Sequence, residues 1–248
     1  ARAVEYAALS YVWGGDTEAA GVTETFVPAK VPVVIADAMQ ACAQLGLPYL
    51  WADLYCVHQN DPVQKAADID SMGHIYRHAR ITLVAGRYRG DKEGDVRKTH
   101  GIWRLFPASM TDDLGARQRI ETVGGRQYIT ALPQTIRQIH SSAWHRRGWT
   151  YQEGALARRI AFFGDYDILY MCGAGHWRQA MHSGAHGHDG TMPGIDLRSK
   201  GYYTLSARHW LGSDEWRFED YLDMVHGYTP RDLTYESDRL NAISGCLN

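Results

Sequence analysis

Eight residues, Arg146 to Glu153 (RRGWTYQE), carry the strongest chemical signal in this chain. Glu153 is the one carboxylate between Glu121 and Asp165. Trp144, Trp149 and Tyr151 stand around it, with Arg146, Arg147, Arg158 and Arg159. On a helix, the positions three and four residues away are Trp149, Thr150, Leu156 and Ala157. None is a Lys or Arg, so the usual helix-surface ion pair is not open to it. A lone acid in an aromatic, partly basic setting is a candidate for a shifted pKa, and such acids gather at functional sites. The plainer alternative is a structural Glu that holds Arg146 or a backbone amide.

The elements that must position this acid follow from pattern. Tyr6 to Trp13 reads as a buried strand closed by Gly14 and Gly15. Pro32 starts a helix to about Leu45, with Ile35, Ala38, Cys42 and Leu45 as its apolar stripe. Tyr49 to Cys56 reads as a second strand. Asp61 is an N-cap, Pro62 the first helical residue, and Gln64 completes a capping box. That helix runs to about Ala79, with Ile69, Met72, Tyr76 and Ala79 inward, and Ile81 to Ala85 is a third strand. Strand, helix, strand, helix, strand argues for a parallel sheet with right-handed crossovers. Arg87 to Arg126 breaks the rhythm as an insertion. Leu132 to His140 and Trp144 to Ala157 read as helices, although Gly148 weakens the second by ~1 kcal/mol against Ala. Arg159 to Phe163 and Ile168 to Met171 read as strands, Gly173 to Gly201 as a mobile loop, and Trp210 to Asn248 as mostly helical. The expected domains are 1–172, including the insertion 87–126, and an extension 173–248 packed on it.

Composition excludes several classes. A net charge of −2 gives no global case for nucleic acid or an anionic membrane. No apolar run reaches the ~20 residues that span a bilayer. The four cysteines are scattered with no CxxC pair, which argues against a zinc knuckle and for a reducing, cytoplasmic setting. The chain opens at Ala1 and stops inside a helical pattern, and reads as a fragment. There is no GxGxxG, P-loop or GxSxG elbow. His176, His182, His186, His188 and Asp189 form the one metal-like cluster, but lack the spacing of a zincin. A flexible polar loop is the preferred reading, with no metal.

Other residues sit where the sheet would meet a ligand. In open parallel sheets, ligands bind beyond the carboxyl ends of the strands. Ser10, Tyr11, Trp13 and Gly14 lie at the end of the first strand, where Trp13 could stack on a flat ring and Gly14 permits close backbone approach. Asp53 lies toward the end of the second, and His58 and Gln59 follow it. Core packing, turn chemistry and loop capping are the alternatives for these positions.

Four blocks in order carry a resemblance: LSYVWG (Leu9 to Gly14), LWADLYCVHQND (Leu50 to Asp61), MGHIYRHA (Met72 to Ala79) and RGWTYQE (Arg147 to Glu153). Together they resemble the fungal heterokaryon-incompatibility (HET) domain, and RDLTYESDRLNAISG (Arg231 to Gly245) resembles the segment that commonly follows it. That family is distantly similar to TIR domains. The resemblance implies a flavodoxin-like α/β fold and a cytoplasmic cell-death effector. It also implies cleavage of NAD at the nicotinamide–ribose bond, with NAD as substrate and no cofactor required. TIR domains place a catalytic Glu after a Trp in a Ser-x-Trp…Glu pattern, which Ser142, either Trp144 or Trp149, and Glu153 could fill. Glu153 would then stabilise positive charge on the ribose. Asp53 would contact ribose or orient water, and Arg146 and Arg147 would hold the pyrophosphate. Self-association is expected as well. Two rivals stand beside this reading: a non-enzymatic homotypic death-signalling module, and a nucleoside or nucleotide N-glycosyl hydrolase or transferase.

Overall fold

The computed structural model describes residues 4–13, 31–86, 120–129, 139–164, 168–172, 175–178 and 218–247. The main sheet contains β1 (Tyr6–Ser10), β2 (Tyr49–Trp51), β3 (Ile81–Ala85), β6 (Arg159–Phe163), β7 (Ile168–Cys172) and β8 (Gly175–Arg178), in the order β2-β1-β3-β6-β7-β8. The first four strands in that order are parallel, and β7 and β8 are antiparallel. The parallel part has the flavodoxin-like arrangement, in which the chain leaves β1 for one neighbour and returns to the other. The parallel sheet expected from the first three strands is present, and β7 and β8 extend it as a mixed sheet. Residues 164–167 are too few for a crossover, so β7 can only fold back on β6.

Helices α1 (Val33–Gln44) and α3 (Pro62–His78) connect the first three strands. Alternation along β1 assigns their sides. Ala7 and Leu9 join Val34, Ile35, Ala38 and Cys42 of α1, while Ala8 joins Met72 and Tyr76 of α3. Leu45, expected in the α1 stripe, is exposed because the helix ends at Gln44 and the chain turns through Gly46 at φ 68°. Asp61 caps α3 by accepting from the Val63 and Gln64 amides. The capping box is only half formed, since the Gln64 side chain donates to Asp68 instead.

Three expectations change near the site. The second strand stops at Trp51 and gives way to a helical turn, α2 (Asp53–Cys56). Its one buried apolar residue is Leu54, and the Cys56 amide donates to the Ala52 carbonyl at 2.8 Å, the bond that closes a helical turn. The first strand stops at Ser10, and Tyr11 to Trp13 continue unpaired. The helix expected over Trp144 to Ala157 is two pieces, α4 (Ala143–Arg146) and α5 (Thr150–Ala155). Between them the backbone bonds elsewhere: the Gly148 amide donates to the Asp232 carbonyl at 2.7 Å, and the Asp232 amide donates to the Arg146 carbonyl at 2.6 Å.

The hairpin of β4 (Ile120–Val123) and β5 (Arg126–Ile129) turns on Gly124 and Gly125, both at positive φ. It closes the expected insertion, whose residues 87–119 lie outside the described residues. The C-terminal region holds α6 (Phe218–Tyr228), a 3-10 turn at Glu236–Asp238 and α7 (Asn241–Leu247). Helix α7 crosses α3 where a Cβ on Gly73 would lie 2.9 Å from the Gly245 Cα. Among the described residues, no helix is long and apolar enough to cross a membrane.

Candidate functional site

Ser10 ends β1 on the face shared with α3, and its neighbour in register is Val84 of β3. Its hydroxyl donates to Glu153 Oε2 at 2.5 Å. Trp144 Nε1 donates to the same hydroxyl at 2.6 Å. Ser10 is fully buried in this chain of bonds, and Glu153 is only 3% exposed. The Tyr76 hydroxyl donates to the Leu9 carbonyl at 3.1 Å and also lies against the Glu153 carboxylate.

Burial is the main reason the Glu153 carboxyl is pushed up to about 7. The negative charge of Asp53 pushes in the same direction. Arg147 and the hydrogen bonds from Ser10 and Tyr76 oppose it.

Asp53 stands across the top of β1 at the start of α2. Its Oδ2 accepts from Trp13 Nε1 at 2.8 Å, and its Oδ1 accepts from the Leu54 amide at 2.8 Å. Burial pushes its carboxyl up to about 6, against the pull of Arg147, Trp13, Leu54 and Tyr11. The residue as a whole is half-buried. The Tyr11 hydroxyl faces Asp53 but completes no hydrogen bond among the described residues, and burial raises its pKa strongly.

Arg147 joins the two halves. Its guanidinium donates to the Tyr11 carbonyl at 3.2 Å, and its charge acts on both carboxylates. Its half-buried position makes it a counter-charge to the acids. Arg146 points to solvent. The structure therefore separates the two arginines expected to act together on a pyrophosphate.

Of the other expected site residues, Gln59 Nε2 donates to the Asp53 carbonyl at 3.3 Å and supports that turn. His58 turns away: its amide and its Nδ1 both meet Asp68 Oδ2, at 2.9 and 2.8 Å. Trp149 packs in the cluster with Tyr151, Met224 and Leu233. Trp144, not Trp149, is the tryptophan bonded into the Glu153 network. Gly14 and the cluster His182, His186, His188 and Asp189 lie outside the described residues, and of His176 only the backbone, in β8, is described. Sequence reading placed Tyr76 in the core without its role at Glu153. The apolar stripe of α3 carried no signal that one hydroxyl on it meets an acid 77 positions later.

The site thus sits at the carboxyl end of β1, where the connections diverge to β2 and β3. This is the switch point at which open α/β sheets bind ligands. It offers two buried carboxyls with pKa values near neutrality and the charge of Arg147 acting on both. No curated protein and no solved structure matches the chain. Residues 6–153, more than half of the chain, match the family described as Heterokaryon incompatibility protein (HET), and the matched span ends on Glu153 itself. The chain therefore belongs to the heterokaryon incompatibility (HET) family, and its function lies with heterokaryon incompatibility.

Proposed function

We propose that this chain is an NAD-consuming cell-death effector that cleaves the nicotinamide–ribose bond, with Glu153 as the catalytic carboxylate. The observation that carries this reading is the buried Glu153 at the switch point, bonded to Ser10 and raised to about 7. A carboxyl with that pKa is available as a base near neutral pH.

The chemistry needs little else. The bond from ribose C1′ to the nicotinamide nitrogen breaks, and the electron pair leaves with nicotinamide as a neutral molecule. No acid has to protonate this leaving group. Positive charge develops on the ribose, and ionised Glu153 stabilises it in a water-poor setting. Water then adds to C1′ and gives up its proton to Glu153 or Asp53. The products are nicotinamide, ADP-ribose and one proton. Asp53, bonded to Trp13, orients the ribose or the water. Trp13, half-buried beside it, offers a ring face to a planar base. The order Ser142, Trp144, Glu153 also fits the Ser-x-Trp…Glu pattern of TIR domains.

Mass analysis of products from NAD and from a panel of nucleosides in ¹⁸O-labelled water tests this. Nicotinamide with ADP-ribose labelled at C1′ is expected. Base release from nucleosides but not from NAD would move the activity to a nucleoside hydrolase.

A homotypic signalling role draws support from a separate feature. Phe218, Tyr221, Leu240 and Leu247 of the C-terminal region are exposed. A contiguous patch of such groups would suit self-association, and Phe218 and Tyr221 stack on each other at 6.4 Å.

A further inference from the structure

We propose that Arg231, beyond the matched family span, is a positioning residue that holds Arg147 and Glu153 in register across the top of β1. The residues 227–233 would then be a working part of the site and not an appendage.

Arg231 is a buried guanidinium, 8% exposed, that reaches in four directions. Its Nε donates to the Gly227 carbonyl at 3.0 Å, on its own side of the contact. One terminal nitrogen donates to the Arg147 carbonyl and to the Thr150 hydroxyl, both at 3.3 Å. The other donates to His145 Nδ1 at 3.2 Å. The guanidinium also lies 4.8 Å from the Tyr151 ring centroid, in cation–π contact. One side chain thereby touches the end of α4, the intervening loop and the start of α5.

The backbone on either side does the same. Arg147 pairs with Asp232 as an isolated parallel bridge, through the two amide bonds already described. Gly148 admits this approach because a Cβ there would lie 2.5 Å from Leu233 Cδ2. These contacts are what break the helix expected over Trp144 to Ala157. The break turns Arg147 toward Tyr11 and starts α5 at Thr150, which places Glu153 under Ser10. The His145 ring is held neutral, its pKa pushed down to about 3 by burial, by Arg231 and by His140. It therefore accepts at Nδ1, and this contact does not switch near neutral pH.

The test uses the full chain with Arg231→Met and Arg231→Lys. The first keeps the stem and loses every donor. The second keeps the charge but cannot reach carbonyl, hydroxyl and ring together. Two readouts are taken. One is the titration of the Glu153 side-chain carboxyl by ¹³C NMR, which needs no substrate. The groups facing that carboxyl are Ser10, Tyr76, Asp53 and Arg147. Slackening Arg147 removes the only cation among them, so the midpoint rises above that of the wild type in both variants. The other is turnover of NAD, which rests on the proposed activity: kcat falls about tenfold or more while KM changes little, as expected for lost positioning. An unchanged Glu153 midpoint in a folded variant overturns the proposal, whatever the melting temperature does. A moved midpoint in the variants, beside a wild type that releases no nicotinamide, would retain the positioning role and reject the NAD reading instead.

Discussion

Glu153 is both the most useful and the most costly residue of the site. Its carboxyl is raised from an ordinary 4.5 to about 7, so the folded chain holds a proton there that the unfolded chain has lost. Stability from this group is complete below about pH 4.5 and falls as pH rises to about 7. Ionising Glu153 inside the fold costs on the order of 3 kcal/mol. Glu153→Gln keeps an oxygen to accept from Ser10 and removes that cost. We expect it to melt higher than wild type at pH 8 and about equally at pH 4, by calorimetry, while losing activity. Equal melting at pH 8 would mean that the acid is not buried as described. Asp53→Asn removes a negative charge that raises Glu153. The acid limb of the pH–rate profile should then move below the wild-type position, and an upward move would contradict the pairing. Both acids were legible in the sequence, Glu153 by its isolation and Asp53 by its place near a strand end. The Ser10–Trp144 link was not, because 134 positions separate the partners and only the sheet brings them together.

At the scale of elements, two close approaches hold the Glu153 helix. Gly154 of α5 leaves room for Trp144, whose ring would lie 3.0 Å from a Cβ there. Gly245 of α7 faces Gly73 of α3, where an added Cβ would lie 2.9 Å from the Gly73 Cα, and its amide donates to Gln152 Oε1 at 3.2 Å, next to Glu153. Gly245→Val puts a side chain against a backbone that cannot yield. A loss of about 2–3 kcal/mol is expected in denaturant unfolding. A variant as stable as wild type would show that α7 does not pack there. Helices α1 and α3 could be read from their stripes and from the Asp61–Pro62 start. The break at Arg147–Trp149 could not. Its cause is Asp232, far along the chain, and local propensity at Gly148 signals only weakness. The α2 turn was missed for a related reason. Leu54, Tyr55 and Val57 have strand-like composition, and the turn shows only in the backbone bond from the Cys56 amide to the Ala52 carbonyl.

Across the whole molecule, the parallel pairing of β1, β2 and β3 followed from the alternation of strands and helices, and their order, which alternation leaves open, places Ser10 and Asp53 at one sheet edge. The antiparallel β7 and β8 needed the short link at 164–167 to be recognised as a hairpin. The C-terminal region completes the site, since residues 231–247 brace both α3 and α5 although the family match ends at Glu153. Truncation at residue 217 should therefore abolish activity and expose apolar surface from Tyr151 and Tyr76, read by dye binding. A truncated chain as active as the whole would contradict this. The decisive measurement is nicotinamide release from NAD by the purified chain over a range of protein concentrations, with Glu153→Gln and Glu153→Ala alongside. Release by the wild type that vanishes in both folded variants is predicted. Release that persists without the Glu153 carboxylate, or no release even from concentrated and clustered wild type, would contradict a catalytic Glu153.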